Sequence, residues 1–151
     1  MIDYYSLPSQ KFTYCHLFEA KGLVDDSFAN GYFNNHLNEI QCAWIALDKH
    51  RVVGWAAVAE CMLKCVVVHP DYRGQGIGQE LTRRRLEYLD HCDKIYSYAW
   101  VRPDGTCMSC KNLENFGFIL HKELNEYYNK CKYCGSNCRC VARQYIKTNQ
   151  R

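Results

Sequence analysis

Proline is scarce, at three residues in 151, and glycine contributes only nine. Levels this low exclude a collagen-like or low-complexity chain. No apolar run approaches the ~20 residues that a membrane-spanning helix needs. The first residues, MIDYYSLPSQ, lack the basic and apolar regions of a secretory signal, so the cytoplasm is the expected compartment and no membrane contact is expected. Neither sign of charge dominates. Nineteen Lys and Arg against 16 Asp and Glu leave a net charge of +3, too little to point to nucleic acid as a partner. An aromatic content of 14% with this low net charge excludes disorder. The expectation is one domain spanning residues 1–151.

Cysteine is abundant instead, at 11 residues. The number is odd, and a secreted disulfide scaffold normally has an even one. In a reducing compartment, closely spaced cysteines usually mean metal or catalysis. Cys15, Cys42, Cys65 and Cys92 read as small buried apolar residues. Cys131, Cys134, Cys138 and Cys140 differ, because four thiols fall within ten residues and Gly135 permits a tight turn. That compass suits a tetrahedral Zn²⁺, and an all-cysteine ligand set makes the metal structural rather than catalytic. Disulfides and unligated thiols are the alternatives. The knuckle is expected as an insertion at about residues 129–141 of the last hairpin. Cys107 and Cys110 form a second CxxC pair, read either as a redox or metal site or as packing on one helix face.

The periodicity predicts a first strand at 2–6, helices at 11–21 and 26–37 with Asp25 or Asp26 capping the second, and a hairpin of strands at 41–47 and 51–60. A third strand, 62–68, carries a β-branched run that suggests burial on both faces. A helix to about residue 91 follows, with Ile77, Leu81 and Tyr88 on its apolar face. Next come a strand at 94–101, a helix at 107–115 capped by Thr106, and strands at 118–128 and 139–147. The order β-α-α-β-β-β-α-β-α-β-β predicts an α/β (α+β) fold, a mixed sheet with helices on both faces.

The strongest motif is VVVHPDYRGQGIG, where a buried strand ends, three glycines follow at spacing two and a helix begins. Amides at a helix N-terminus are unpaired and carry partial positive charge. Glycines let that backbone approach a phosphate. The dinucleotide fingerprint needs G-x-G-x-x-G and the Walker A loop needs a Gly-Lys-Ser/Thr ending, and neither is present. A purely structural turn is the other reading.

The run V-x-P-x-x-R-G-x-G-I-G, Val68 to Gly78, resembles the acetyl-CoA motif of the GNAT superfamily of N-acetyltransferases. Asn115-Phe116-Gly117-Phe118 resembles the "GF" that closes the next helix in that family. The resemblance implies a splayed sheet that admits the pantetheine arm of acetyl-CoA. It implies hydrogen bonds from Val66, Val67 and Val68, and pyrophosphate on the amides of Arg73, Gly74, Gln75, Gly76, Ile77 and Gly78. The activity it implies is acetyl transfer to a primary amine: a protein lysine, an N-terminus or a small molecule. The family often keeps a Glu where this chain has Met62, and a Tyr where it has Leu113. Glu60, two residues before Met62, is then the candidate base or a solvent-facing strand end. Ser109, Cys110 and Tyr98 are the candidate acids. One or two of Arg83, Arg84 and Arg85 reach the 3′-phosphate of CoA, or the three belong to a solvated face. The zinc hairpin would lie beside the acceptor side of the site. A non-catalytic acyl-CoA-binding module, or one whose zinc hairpin binds a partner, is the alternative.

Overall fold

The computed structural model describes residues 1–6, 14–28, 31–37, 39–107, 109–127 and 140–149. The elements are β1 (Ile2–Ser6), α1 (Tyr14–Ser27), α2 (Tyr32–Leu37), β2 (Cys42–Asp48), β3 (Arg51–Ala59) and β4 (Met62–Val68). A short 3-10 turn (Pro70–Tyr72) leads to α3 (Ile77–Tyr88), β5 (Lys94–Val101), α4 (Cys110–Asn115), β6 (Ile119–Tyr127) and β7 (Val141–Thr148). The expected order of strands and helices is found. The strands hydrogen-bond in the order β1-β2-β3-β4-β5-β7-β6. β4 and β5 pair parallel, while β1–β2, β2–β3, β5–β7 and β6–β7 pair antiparallel, giving a mixed sheet flanked by helices. The chain divides into two compact units, residues 1–60 with 64–88 and residues 61–63 with 89–151. No helix among the described residues is long and apolar enough to cross a membrane.

In the first unit β2 and β3 are buried along nearly their whole length. Neighbouring strand residues point to opposite faces, and here both faces are covered. Trp55 meets Phe33 of α2, with ring centroids 5.1 Å apart. Gly54 faces α3, where a Cβ would lie 3.1 Å from both Ile77 and Leu81. The missing side chain is what lets α3 sit this close to the sheet. β4 corrects its expectation: burial alternates, with Leu63, Cys65 and Val67 inside and Met62, Lys64, Val66 and Val68 only half-buried.

The helix boundary near residue 26 also moves. Asp25 and Asp26 lie inside α1, and α2 starts after Gly31. Asp25 still caps α2 from α1, because its Oδ1 accepts the Phe33 N–H at 2.9 Å. That N–H is one of the first-turn donors a helix cannot pair itself. Burial raises the Asp25 pKa, but hydrogen bonds from Lys21 and Phe33 outweigh it and the net shift is downward.

The second unit is built on Leu89, Cys92, Ile95, Ala99, Leu113, Phe118, Ala142 and Tyr145. Gly117, at φ +90°, ends α4 and lets the Phe118 N–H bond back to the Leu113 carbonyl at 3.0 Å. Thr106 does not cap α4. Ser109 holds the N-cap position, and the Thr106 N–H and hydroxyl both donate to Asp104.

Among the described residues, four cysteines form disulfides, Cys61–Cys92 and Cys107–Cys110. Cys92 is therefore a bonded cysteine and not merely a small buried residue. Cys107 and Cys110 bond to each other at the start of α4. Cys42 and Cys65 are buried as expected, whereas Cys15 is exposed.

Candidate functional site

The glycine loop is carried by the first unit. Val67 is buried and Val66 and Val68 are half-buried at the end of β4. Among the described residues, the parallel register with β5 covers Met62 and Leu63 and goes no further along β4. Past the strand, the His69 N–H donates to the Val53 carbonyl at 2.8 Å. The His69 ring lies 3.1 Å from the Asp71 N–H through Nδ1 and 2.9 Å from Arg51 Nη2 through Nε2. A neutral imidazole has one acceptor nitrogen, so only one of these is a hydrogen bond at a time. The Tyr72 hydroxyl donates to Asp48 Oδ2 at 2.6 Å, and the carboxylate that accepts this hydrogen bond raises the Tyr72 pKa. The approach to the loop is thus tied to the β2–β3 hairpin.

Arg73 Nε donates to the Val68 carbonyl at 3.2 Å. Gly74 and Gly76 then take φ of +80° and +83°. A Cβ at either would meet nothing within 4 Å, so the left-handed backbone, not crowding, demands glycine. Arg73 to Gly76 are exposed, and Ile77 is buried as the anchor of α3. The helical ladder begins with the Glu80 N–H on the Gly76 carbonyl at 3.0 Å. The amides just before Glu80 therefore have no partner inside the helix and lie at the positive end of its dipole.

Glu80 brings a negative charge within one turn of those amides. Hydrogen bonds from Arg83, with Arg84 adding to them, hold its pKa down at about 2 against the opposing effect of burial. Arg83 also pairs with Glu87, and Arg84 stacks over Tyr4 at 4.8 Å. Both arginines are thus engaged along the helix surface. Arg85 is different in kind. It is 2% exposed, and its guanidinium donates to the Lys64 carbonyl at 3.2 Å, the Ala57 carbonyl at 3.4 Å and Thr82 Oγ1 at 3.0 Å. Burial pushes its pKa down to about 10. The sequence reading missed this cation, although Ile77, Leu81 and Arg85 fall at i, i+4 and i+8 on one helix face.

The catalytic candidates divide between the units. Glu60 is not on a strand face, because β3 ends at Ala59 and Glu60 occupies the exposed turn at φ +52°. Tyr98 lies on β5 in the second unit, 39% exposed, and its oxygen accepts from Gln144 Nε2 at 3.0 Å. That acceptance leaves the hydroxyl proton available for donation. Gln144 is directly opposite on β7 and was not singled out from sequence. Cys110 is corrected as an acid: bonded to Cys107, it has no thiol proton. Leu113, at the family's Tyr position, is buried. Cys131, Cys134 and Cys138 lie outside the described residues, while Cys140 is buried just before β7.

Among solved structures, the ribosomal-protein-S18-alanine N-acetyltransferase from Escherichia coli superposes with a TM-score of 0.71 at 16% identity, covering 100% of this chain and 96% of that one. The NatC complex bound to Gag peptide and CoA gives 0.74 at 20%, covering 99% of each chain. An aminoglycoside 6′-N-acetyltransferase complexed with coenzyme A gives 0.72 at 13%, covering 100% and 98%. At these identities the likeness is one of fold. No curated protein matches the sequence. The family model for acetyltransferases of the GNAT family matches residues 2–118. The chain belongs to the GNAT acetyltransferase family.

Proposed function

We propose that this protein transfers the acetyl group of acetyl-CoA to a primary amine. The observation that carries this is the loop Arg73 to Gly78, with its two left-handed glycines and the exposed residues Arg73 to Gly76 leading into the N-terminus of α3. It supports pyrophosphate binding. The backbone of Val66 to Val68, beyond the residues registered with β5, is suited to the amides of the pantetheine arm.

The amine nitrogen attacks the thioester carbonyl, the C–N bond forms, the C–S bond breaks and the thiolate leaves. A lysine acceptor must first lose a proton, which costs about 4.6 kcal/mol at pH 7 from a pKa near ~10.4. We assign this proton to Glu60, reached through a water because the carboxylate stands on an exposed turn. Tyr98 is the donor assigned to the thiolate, supported by its hydrogen bond from Gln144, and the second proton, which the nitrogen releases once the C–N bond has formed, restores the hydroxyl through solvent. The acceptor is a lysine side chain, a protein N-terminus or a small-molecule amine. Solved relatives by fold include a ribosomal-protein-alanine N-acetyltransferase and an aminoglycoside N-acetyltransferase, which supports testing protein and small-molecule acceptors together. Incubation with acetyl-CoA and a mixed amine panel, read by mass spectrometry of acetylated products, tests the proposal. Binding of acetyl-CoA with no acetylated product in any class would instead assign a non-catalytic acyl-CoA-binding module.

A structural Zn²⁺ on Cys131, Cys134, Cys138 and Cys140 belongs to the same proposal, supported by the thiol spacing. Chelation should disturb the last hairpin and acceptor use more than acetyl-CoA affinity. A zinc content near zero in protein purified without added metal would refute it.

A further inference from the structure

We propose that Cys61, His91 and Cys92, when the two thiols are reduced, bind a Zn²⁺ ion at a site separate from the four-cysteine loop. The three donor atoms lie within 4.8 Å of one another, and all three residues belong to the second unit. His91 Nε2 is 3.6 Å from Cys92 Sγ. A tetrahedral ion with Zn–S of ~2.3 Å and Zn–N of ~2.0–2.1 Å spans an S···N edge of ~3.6 Å, so this pair already has the separation the metal requires. The two sulfurs are bonded, with their Cα atoms 5.9 Å apart. On reduction they need only part to the ~3.8 Å of a tetrahedral S···S edge, a change within reach of side-chain rotation.

The backbone holds the ligands in place from both sides. The Cys61 carbonyl accepts the Tyr96 N–H at 2.9 Å, and the Cys92 N–H donates to the Leu89 carbonyl at 3.0 Å. Asn149 Nδ2 donates to the Cys92 carbonyl at 2.7 Å and to the Leu89 carbonyl at 3.3 Å. A turn fixed in this way keeps its donors converged without the covalent bond. Cys92 is buried, Cys61 half-buried and His91 exposed. The fourth vertex therefore faces solvent and takes a water, as in three-ligand zinc sites.

The disulfide and the metal exclude each other, because the same two sulfurs serve both. A dithiol reductant gives two electrons and two protons to the Cys61–Cys92 bond and is itself oxidised to a disulfide. Zn²⁺ then displaces one proton from each thiol, forming two Zn–S bonds beside the Zn–N bond of His91.

The test uses the full chain carrying Cys131→Ser, Cys134→Ser and Cys138→Ser, which silences the other cysteine loop. The protein is reduced with a phosphine, desalted without oxygen and titrated with Co²⁺. The expected result is a thiolate-to-cobalt charge-transfer band that saturates, is lost on displacement by Zn²⁺, and is absent from protein left oxidised. Adding His91→Asn should weaken cobalt binding by about tenfold or more, and adding Cys61→Ser should abolish the band. His91 is exposed, so its variant tests the site without threatening the core, and circular dichroism checks its fold. An absent band in the reduced chain, or equal cobalt affinity with and without His91, would overturn the site. The second outcome would give the bound cobalt to other thiols, Cys107 and Cys110 among them.

Discussion

Gly54→Ala measures how closely the cofactor loop depends on the sheet beneath it. A Cβ at this position would sit 3.1 Å from Ile77 Cγ2, 3.1 Å from Leu81 Cδ1 and 3.2 Å from Ala46 Cβ. Comfortable carbon contacts begin near ~3.5 Å, so three neighbours must each give way by several tenths of an ångström. All three lie in the core, where close packing resists such shifts: Ile77 is 2% exposed and Leu81 and Ala46 are fully buried. Overpacking of this kind costs about 1–3 kcal/mol, which at ~2–4 °C per kcal/mol for a chain of this size lowers Tm by about 2–12 °C. Ile77 opens α3 directly after Gly76, so the same displacement reaches the amides proposed to hold pyrophosphate. Acetyl-CoA affinity should fall along with Tm. Calorimetric melting and acetyl-CoA titration read the two effects. Gly22→Ala is the control, because Gly22 lies inside α1 with nothing within 4 Å of a Cβ. It should stabilise by about 0.8–1 kcal/mol and leave affinity alone. An unchanged Tm for Gly54→Ala would refute the tight packing of α3 on β3.

Glu60→Gln should lower the transfer rate by ~10²-fold at neutral pH, with the loss shrinking at high pH where free amine is abundant; a wild-type pH profile would leave Glu60 a turn residue. Glu60→Gly removes the left-handed penalty at φ +52° and should raise Tm, by up to ~1–2 kcal/mol of stability, while losing the same activity. Glu80, held at about 2 by Arg83 and Arg84, is depressed below its unfolded value of ~4.3. Its contribution is present above that value and is lost as pH falls towards 2. Glu80→Gln should therefore flatten the fall of Tm between pH ~4.3 and ~2, by ~1 kcal/mol at most for pairs this near the surface; parallel curves would show that the pairing carries no stability. Arg85→Ala should cost about 2–5 kcal/mol in urea unfolding, since it leaves a cavity and takes a donor from the Lys64 and Ala57 carbonyls. Arg85→Met should recover part of that by filling the space without a buried charge, and a fully stable Arg85→Ala would show that these hydrogen bonds contribute nothing.

The order of elements was legible from β2 onward because those segments had a clean period or a turn signal, whereas the bounds of the two N-terminal helices were not. Met62–Val68 and Lys94–Val101 fall where the sequence places them, and the glycine loop opens α3 as expected. Burial was less legible. Three consecutive valines suggested that β4 was the strand covered on both faces, yet it is the alanine-rich β2 and β3 that α2 and α3 sandwich. Small residues bury as readily as branched ones where helices approach closely, and composition alone does not say which strand they approach. Asp25 was recognised as a cap but placed at the wrong boundary, because its carboxylate reaches Phe33 across the α1–α2 turn rather than from the preceding residue. The Cys61–Cys92 pairing joins residues 31 apart, and no local spacing rule reports such a pair. Arg85 was hidden inside an Arg-Arg-Arg run that reads as a solvated face unless the i+4 register from Ile77 is followed through it.

Isothermal titration of acetyl-CoA into the wild-type chain and into Gly76→Asp tests the central claim most directly. The substituted Cβ meets no atom within 4 Å, so the fold is not crowded. The variant adds strain at φ +83° and a carboxylate where the pyrophosphate is proposed to sit. One acetyl-CoA should bind per wild-type chain, and the folded variant should bind at least about tenfold more weakly, a difference of ~1.4 kcal/mol. Equal affinities in the two folded proteins, or no binding by the wild type, would contradict the assignment of the loop from Arg73 to Gly78.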